Sequence, residues 1–263
     1  MKLVVMNTQN RFLQLLALPL VLAACAAFAT GTATLRPGKY VADRGSLTIE
    51  HASGGKTTFE LVVVSPWNGH TCGPMDGEIR DGAATIVDVS DSDDGPAKCV
   101  VRFSQNGDAI DVASEGDACR DECGAAVAFE GRYAALPTEC DTPALSKTRQ
   151  QFQSAYDAKN YAKALNTLQP TLTRCAAVLD FSDVATMRND VAITQYHLHD
   201  SAGCLRTLEP LREDADKTDS DLESNYPVFA LDLRLPGIHA ARTNLKLCRA
   251  ARAEFNTSSG SAK

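Results

Sequence analysis

After residue 36 apolar and polar positions alternate along the chain. Leu47 and Ile49, then Phe59, Leu61 and Val63, then Cys99, Val101 and Phe103, then Ile110 and Val112 recur at every second position. A period of two places one face of each strand on a core. Ser53-Gly54-Gly55, Asp81-Gly82, Asp94-Gly95 and Asn106-Gly107 separate the runs as turn signals. Many short strands at close spacing predict an antiparallel β-barrel or sandwich over residues 36–136. Gly38-Lys39-Tyr40 opens this region and Gly131-Arg132-Tyr133 closes it. The first and last strands are therefore expected to be neighbours that seal the sheet and leave no raw edge.

From Ala144 the period becomes helical. Tyr161, Ala164, Leu165 and Leu168 form one apolar stripe, Cys204, Leu205, Leu208 and Leu211 a second, and Ile238, Ala241, Leu245 and Cys248 a third. The fold class expected is α+β in two domains: a β domain at 36–136, a linker at 137–143 and a helical domain at 144–255. Thr142-Pro143 fits a helix start, with threonine as the cap and proline in the first turn. The Ser-, Gly- and Ala-rich tail at 256–263 is expected to be disordered.

The helical half contains an internal echo. Tyr156, Ala164, Leu165, Leu168 and Pro170 return as Tyr196, Cys204, Leu205, Leu208 and Pro210. The stretch Tyr156-x-x-x-Asn160-Tyr161-x-x-Ala164-Leu165, with Pro170 near the end of the second helix, resembles a tetratricopeptide-type repeat over about residues 146–215. Its period is forty, longer than usual, and two copies are clear. The resemblance implies paired helices whose concave face binds other proteins. A disulfide-stapled helical bundle is the plainer reading of the same pattern.

The first 29 residues carry Lys2 and Arg11 and no acid, followed by the apolar run from Phe12 to Ala24. That run is short for a membrane-spanning helix and reads as a secretory signal. Leu22-Ala23-Ala24-Cys25 resembles a bacterial lipobox, which implies lipidation of Cys25 and a tether on the periplasmic side of the outer membrane. Cleavage after Ala29, behind the small-x-small sequence Ala27-Phe28-Ala29, is the competing expectation.

Export changes the meaning of the cysteines. Setting Cys25 aside leaves Cys72, Cys99, Cys119, Cys123, Cys140, Cys175, Cys204 and Cys248, an even set that predicts four disulfides in an oxidising compartment. Keeping each bridge within its domain favours Cys72–Cys99, Cys119–Cys123, Cys140–Cys175 and Cys204–Cys248. The spacing Cys119-x-x-x-Cys123 also suits zinc, but no second close pair completes a ligand set.

The whole chain has a net charge of −7. An acidic balance argues against nucleic acid and against broad attraction to anionic lipid, and favours a basic protein partner. His197-x-His199 does not converge on a helix, and Asp200 reads as the cap of a helix from Ser201. The acidic run at 88–95 fails the spacing of a calcium loop. His70 beside Cys72 would need a free thiol to make a nucleophile. No phosphate loop, nucleophile elbow or zinc-protease motif occurs, so neither an enzyme nor a cofactor or metal is expected.

One loop stands out as a binding element. Ser65-Pro66-Trp67-Asn68-Gly69-His70 holds the single tryptophan, and Trp67, Asn68 and His70 are the candidate contact residues. Trp67 folded down onto the barrel end is the alternative. An acidic, tethered, disulfide-stapled β domain is similar in general character to bacterial envelope inhibitors and immunity proteins that block lysozyme-like enzymes. That likeness implies a basic secreted cell-wall hydrolase as partner. The rival expectation is a scaffold that assembles envelope proteins through the helical repeat.

Overall fold

The computed structural model describes residues 34–65, 67–87, 98–116, 118–123 and 127–260, with side chains at all of these except 87, 120–122 and 256–260. Cys25 with the rest of the leader, the acidic run at 88–95 and its Asp94-Gly95 turn lie outside the described residues.

Eight strands form one antiparallel sheet: β1 (Gly38–Ala42), β2 (Gly45–His51), β3 (Thr57–Val64), β4 (Thr71–Ile79), β5 (Ala83–Val87), β6 (Lys98–Asn106), β7 (Ala109–Glu115) and β8 (Gly131–Ala135). Their order is β4-β3-β2-β1-β8-β7-β6-β5. Read around the sheet, every strand neighbours its sequence neighbour, and β1 meets β8 through Tyr40↔Ala135 and Val41↔Ala134. The first and last strands thus join as their matching Gly-x-Tyr ends predict. The sheet is a nearly closed up-and-down barrel whose one seam falls between β4 and β5. Those two strands are tied at Arg80 and Ala83, across a turn in which Asp81 and Gly82 both have positive φ (52° and 75°), and pair no further. A two-residue turn of this hand matches strand twist, which is why Asp-Gly serves there.

Every alternating residue named above faces inward. Leu47, Leu61, Val101 and Ile110 are fully buried, and Phe59 and Phe103 meet ring to ring at 4.8 Å. Phe129 and Tyr133 join them, with the Tyr133 hydroxyl donating to the Phe129 carbonyl at 2.8 Å. Burial pushes the Tyr133 phenol up to about 12. Side chains fill the barrel interior.

The seam is closed by a device the sequence reading missed. Residues Ala118–Cys123 form a helix, α1, between β7 and β8. Cys119 and Cys123 stand one helical turn apart on the same face. Cys119 bonds to Cys99 on β6 and Cys123 to Cys72 on β4. The expected pairs Cys72–Cys99 and Cys119–Cys123 are therefore corrected. Each end of α1 is fastened to a different side of the gap, so the helix spans the seam as a strap. The other two bridges are the expected ones: Cys140–Cys175 and Cys204–Cys248, with Cα separations of 5.5 and 6.2 Å.

The segment at 137–143 holds a 3-10 turn, Thr138–Cys140, and Cys140 is buried against Leu145 and Cys175. Helix α2 (Thr142–Asp157) follows. Its cap is Asp141, not Thr142: the Asp141 carboxylate accepts from the Ala144 N–H at 3.1 Å. Then come α3 (Tyr161–Cys175), α4 (Phe181–His197), α5 (Ser201–Leu208), short α6 (Arg212–Ala215) and α7 (Asp219–Asn225), and α8 (Val228–Gly260). Helices α2 to α5 each pack on the next, and α8 lies against α4 and α5. Pro170 sits inside α3, which runs on to Cys175, rather than near its end. The backbone of α8 is helical to Gly260. The three apolar stripes supply the helical cores, with Ala164, Leu168, Cys204, Leu208, Ile238 and Ala241 fully buried.

Two turns separated by forty residues share one hydrogen-bond pattern. In the first, Lys159 N–H reaches Tyr156 O at 2.8 Å and Asn160 N–H reaches Ala155 O at 2.9 Å. In the second, His199 N–H reaches Tyr196 O at 3.0 Å and Asp200 N–H reaches Gln195 O at 2.9 Å. Lys159 and His199 both take positive φ, and Asn160 and Asp200 cap the helices that follow.

Helices α4 and α8 are joined by a buried amide pair. Asn189 donates to the Gly237 carbonyl at 2.9 Å, and Asn244 donates to the Asn189 side-chain oxygen at 2.9 Å. Gly237 permits this approach, since a Cβ there would lie 2.7 Å from that of Ala185.

Candidate protein-binding surface

The β3–β4 loop is held by its own backbone. Ser65 is fully buried, its N–H donates to the His70 carbonyl at 2.8 Å, and the Gly69 N–H donates back to the Ser65 carbonyl at 3.0 Å. The Ser65 hydroxyl accepts from the Trp67 N–H at 3.3 Å, and the Asn68 side chain accepts from the His70 N–H at 3.0 Å. Two residues beyond His70 the chain is fixed by the Cys72–Cys123 bridge. Asn68 is thus a turn-forming residue, with its carboxamide oxygen directed at the loop.

From this frame Trp67 projects into solvent, 67% exposed. It is not folded onto the barrel end. His70 is exposed beside it, and Cys72 is oxidised, so the pair forms no thiol–imidazole couple.

A second element reaches the same loop. The ring of Phe229, in the first turn of α8, lies 2.7 Å from where a Cβ on Gly69 would stand. Gly69 has φ +70°, so both its backbone and its neighbour require glycine. The start of α8 is itself anchored: Leu231 is buried, and Arg234 lies over the Phe181 ring at 4.1 Å and the Tyr226 ring at 4.6 Å. Val228, adjoining Phe229, is 76% exposed, and Leu233, one helical turn beyond Phe229, is 52% exposed. Large apolar side chains left in water beside a braced loop are what an interface core requires. Phe229, Val228 and Leu233 lie outside the apolar stripes legible in the sequence, the third of which begins at Ile238. Pro227 before Val228-Phe229 was the available signal, since proline favours a helix start.

Other candidate chemistry resolves into structure. The His197 ring stacks on Tyr161 with centroids 4.5 Å apart, and Tyr156 and Tyr196 approach it edge-on. His199 is the positive-φ residue of the turn. Cys119 and Cys123 spend their sulfurs on two strands. Among the described residues no three His, Cys, Asp or Glu side chains are grouped as a metal would need.

One acid between α2 and α4 is perturbed. Burial pushes the Asp190 carboxyl up to about 6, and the charge of the Arg149 guanidinium opposes this only in part. A folded state that retains a proton the unfolded chain has lost loses stability as pH rises. Stability from this group therefore declines from about pH 4 to about pH 6 and is level above. Asp190→Asn is expected to abolish that slope and raise the urea midpoint near neutrality, read from denaturation curves on either side of the window. An unchanged slope would remove Asp190 as its source.

No protein-family model, curated protein or solved structure matches the chain.

Proposed function

We propose that this is an exported protein-binding protein that inhibits, or confers immunity to, a secreted cell-wall hydrolase. The observation that carries the reading is Trp67, an exposed indole on a loop braced by Ser65, by Phe229 and by a disulfide. A rigid aromatic binds at low entropic cost, because the loop is ordered before the partner arrives. The net charge of −7 suits a basic partner and would speed encounter with one. Four disulfides fit an oxidising compartment, and among the described residues no helix is long and apolar enough to cross a membrane. In this proposal the leader directs export and Cys25 carries the lipid that holds the protein on the periplasmic side of the outer membrane. The residues at 36–136 act as the binding domain and those at 144–255 as its support.

The test is capture of secreted cell-wall hydrolases on immobilised wild-type protein and on a Trp67→Ala column. Retention on the first and not the second supports the proposal; equal retention on both removes the loop from the site.

A second reading has its own support. The matching turns at 156–160 and 196–200 favour a tetratricopeptide-like hairpin repeat, and with it a scaffold that gathers envelope proteins on its helical face. Under that reading capture would survive Trp67→Ala and several proteins would be retained.

A further inference from the structure

Helices α5 and α8 border an open, shallow surface groove of about 430 Å³, lined by Ala202, Leu205, Arg206, Glu209 and Arg252. Three observations set it apart. The first is electrostatic. Arg206 and Arg252 both line the groove, both are exposed, and among the described residues neither is ion-paired. Glu209, the one acid in the lining, pairs with Arg212 at 2.9 Å and leaves the groove with an excess of positive charge. Two like charges around one opening repel, and a ligand that neutralises both relieves that repulsion. The second is the floor. Ala202 and Leu205 are only partly buried and give the groove an apolar base between its cations. The third is rigidity. Cys204, beside Leu205, is disulfide-bonded to Cys248, one helical turn before Arg252, and both sulfurs are buried. The walls are covalently fixed to each other, so the groove exists before any ligand arrives and little ordering opposes binding.

We infer that this groove is a docking site for an acidic peptide segment, one that carries two carboxylates flanking an apolar side chain. Arginine meets carboxylate through paired N–H donors, a geometry lysine lacks. The apolar residue would seat on Leu205 and Ala202, and the two carboxylates would neutralise Arg206 and Arg252. Paired arginines around an apolar floor are a recurrent means of reading acidic motifs. The site lies on α5 and the second half of α8, whereas the Trp67 loop meets the first turn of α8. It does not depend on the hydrolase reading.

The experiment uses the full chain with its disulfides intact and a fluorescein-labelled amphipathic peptide built from Glu and Leu, followed by anisotropy. A peptide with Lys in place of Glu, and phosphatidylglycerol vesicles, serve as the other arms. Saturable binding of the acidic peptide is expected, with no binding of the basic one. Arg206→Ala and Arg252→Ala should each weaken it about tenfold, and raised salt should weaken it further. Both side chains are exposed, so thermal midpoints should stay put, and Arg206→Lys should fail to restore full affinity. Absence of peptide binding, binding untouched by either substitution, or arginine-dependent binding of the vesicles without the peptide would each overturn the inference.

Discussion

Replacing Cys72 and Cys123 together by alanine is expected to lower the unfolding free energy by about 4 kcal/mol. The two cysteines are 51 residues apart in sequence, and removing the bridge frees that loop in the unfolded chain. Both sulfurs are buried, and Cys123 lies 3.9 Å from the Met75 sulfur inside the barrel. The Cys99–Cys119 bridge closes a shorter span, 20 residues, and its loss in Cys99→Ala/Cys119→Ala should cost about 3 kcal/mol. Urea denaturation of the oxidised proteins gives both numbers. Loss of the strap at one end also leaves α1 held only on the other side of the seam, so exchange of backbone amides along β4 and β5 should accelerate. An unmoved midpoint in the first variant would mean that the bridge to β4 does not form.

Trp67→Ala should produce the largest change in binding with almost none in stability. Truncating an aromatic anchor at an interface centre costs about 2–4 kcal/mol, or roughly thirtyfold to a thousandfold in Kd. The side chain is two-thirds exposed in the free protein, so the unfolding free energy should change only as for a surface substitution, within about 0.5 kcal/mol. Phe229→Ala makes the complementary case. It removes the ring that supports Gly69 without touching Trp67, and should weaken binding less while loosening the loop. Calorimetric titration of a captured hydrolase against the three proteins separates anchor from support. Equal affinities across the set would place the partner elsewhere.

The barrel was legible where burial is one-sided. Leu47, Ile49, Phe59, Leu61, Val63, Val101, Phe103, Ile110 and Val112 obey a period of two because one side of the sheet faces the core. β4 escaped for the opposite reason. Its buried residues Cys72 and Met75 are three apart, and Leu61 pairs with Met75 while Val63 pairs with Cys72. That irregularity breaks the period, and Gly73-Pro74 within it reads as a turn when no neighbouring strand is in view. Missing α1 had a direct consequence. Without a helix, Cys119 and Cys123 look like partners; on a helix they share a face and address separate strands. Keeping each bridge within its own half gives the two helical pairs, and the fold bears them out by bringing Cys140 to Cys175 and Cys204 on α5 to Cys248 on α8.

The candidate site was half legible. A lone tryptophan among Pro, Asn and Gly marks a loop but leaves open whether the ring folds down onto the barrel, and the structure leaves Trp67 exposed. Asn68 is exposed beside Trp67, and its carboxamide oxygen accepts the loop-turn hydrogen bond from His70. Phe229 and the apolar residues around it could not be placed beside Gly69 by spacing, since 160 residues separate them and only the packed fold brings them together.

The central claim is that this molecule silences a cell-wall hydrolase by binding it. Its most direct test follows cell-wall lysis by a captured hydrolase while the oxidised full-length protein is added. The account predicts that activity falls linearly and vanishes at one equivalent, and that Trp67→Ala leaves lysis intact at the same dose. Full lytic activity in the presence of saturating wild-type protein would contradict it.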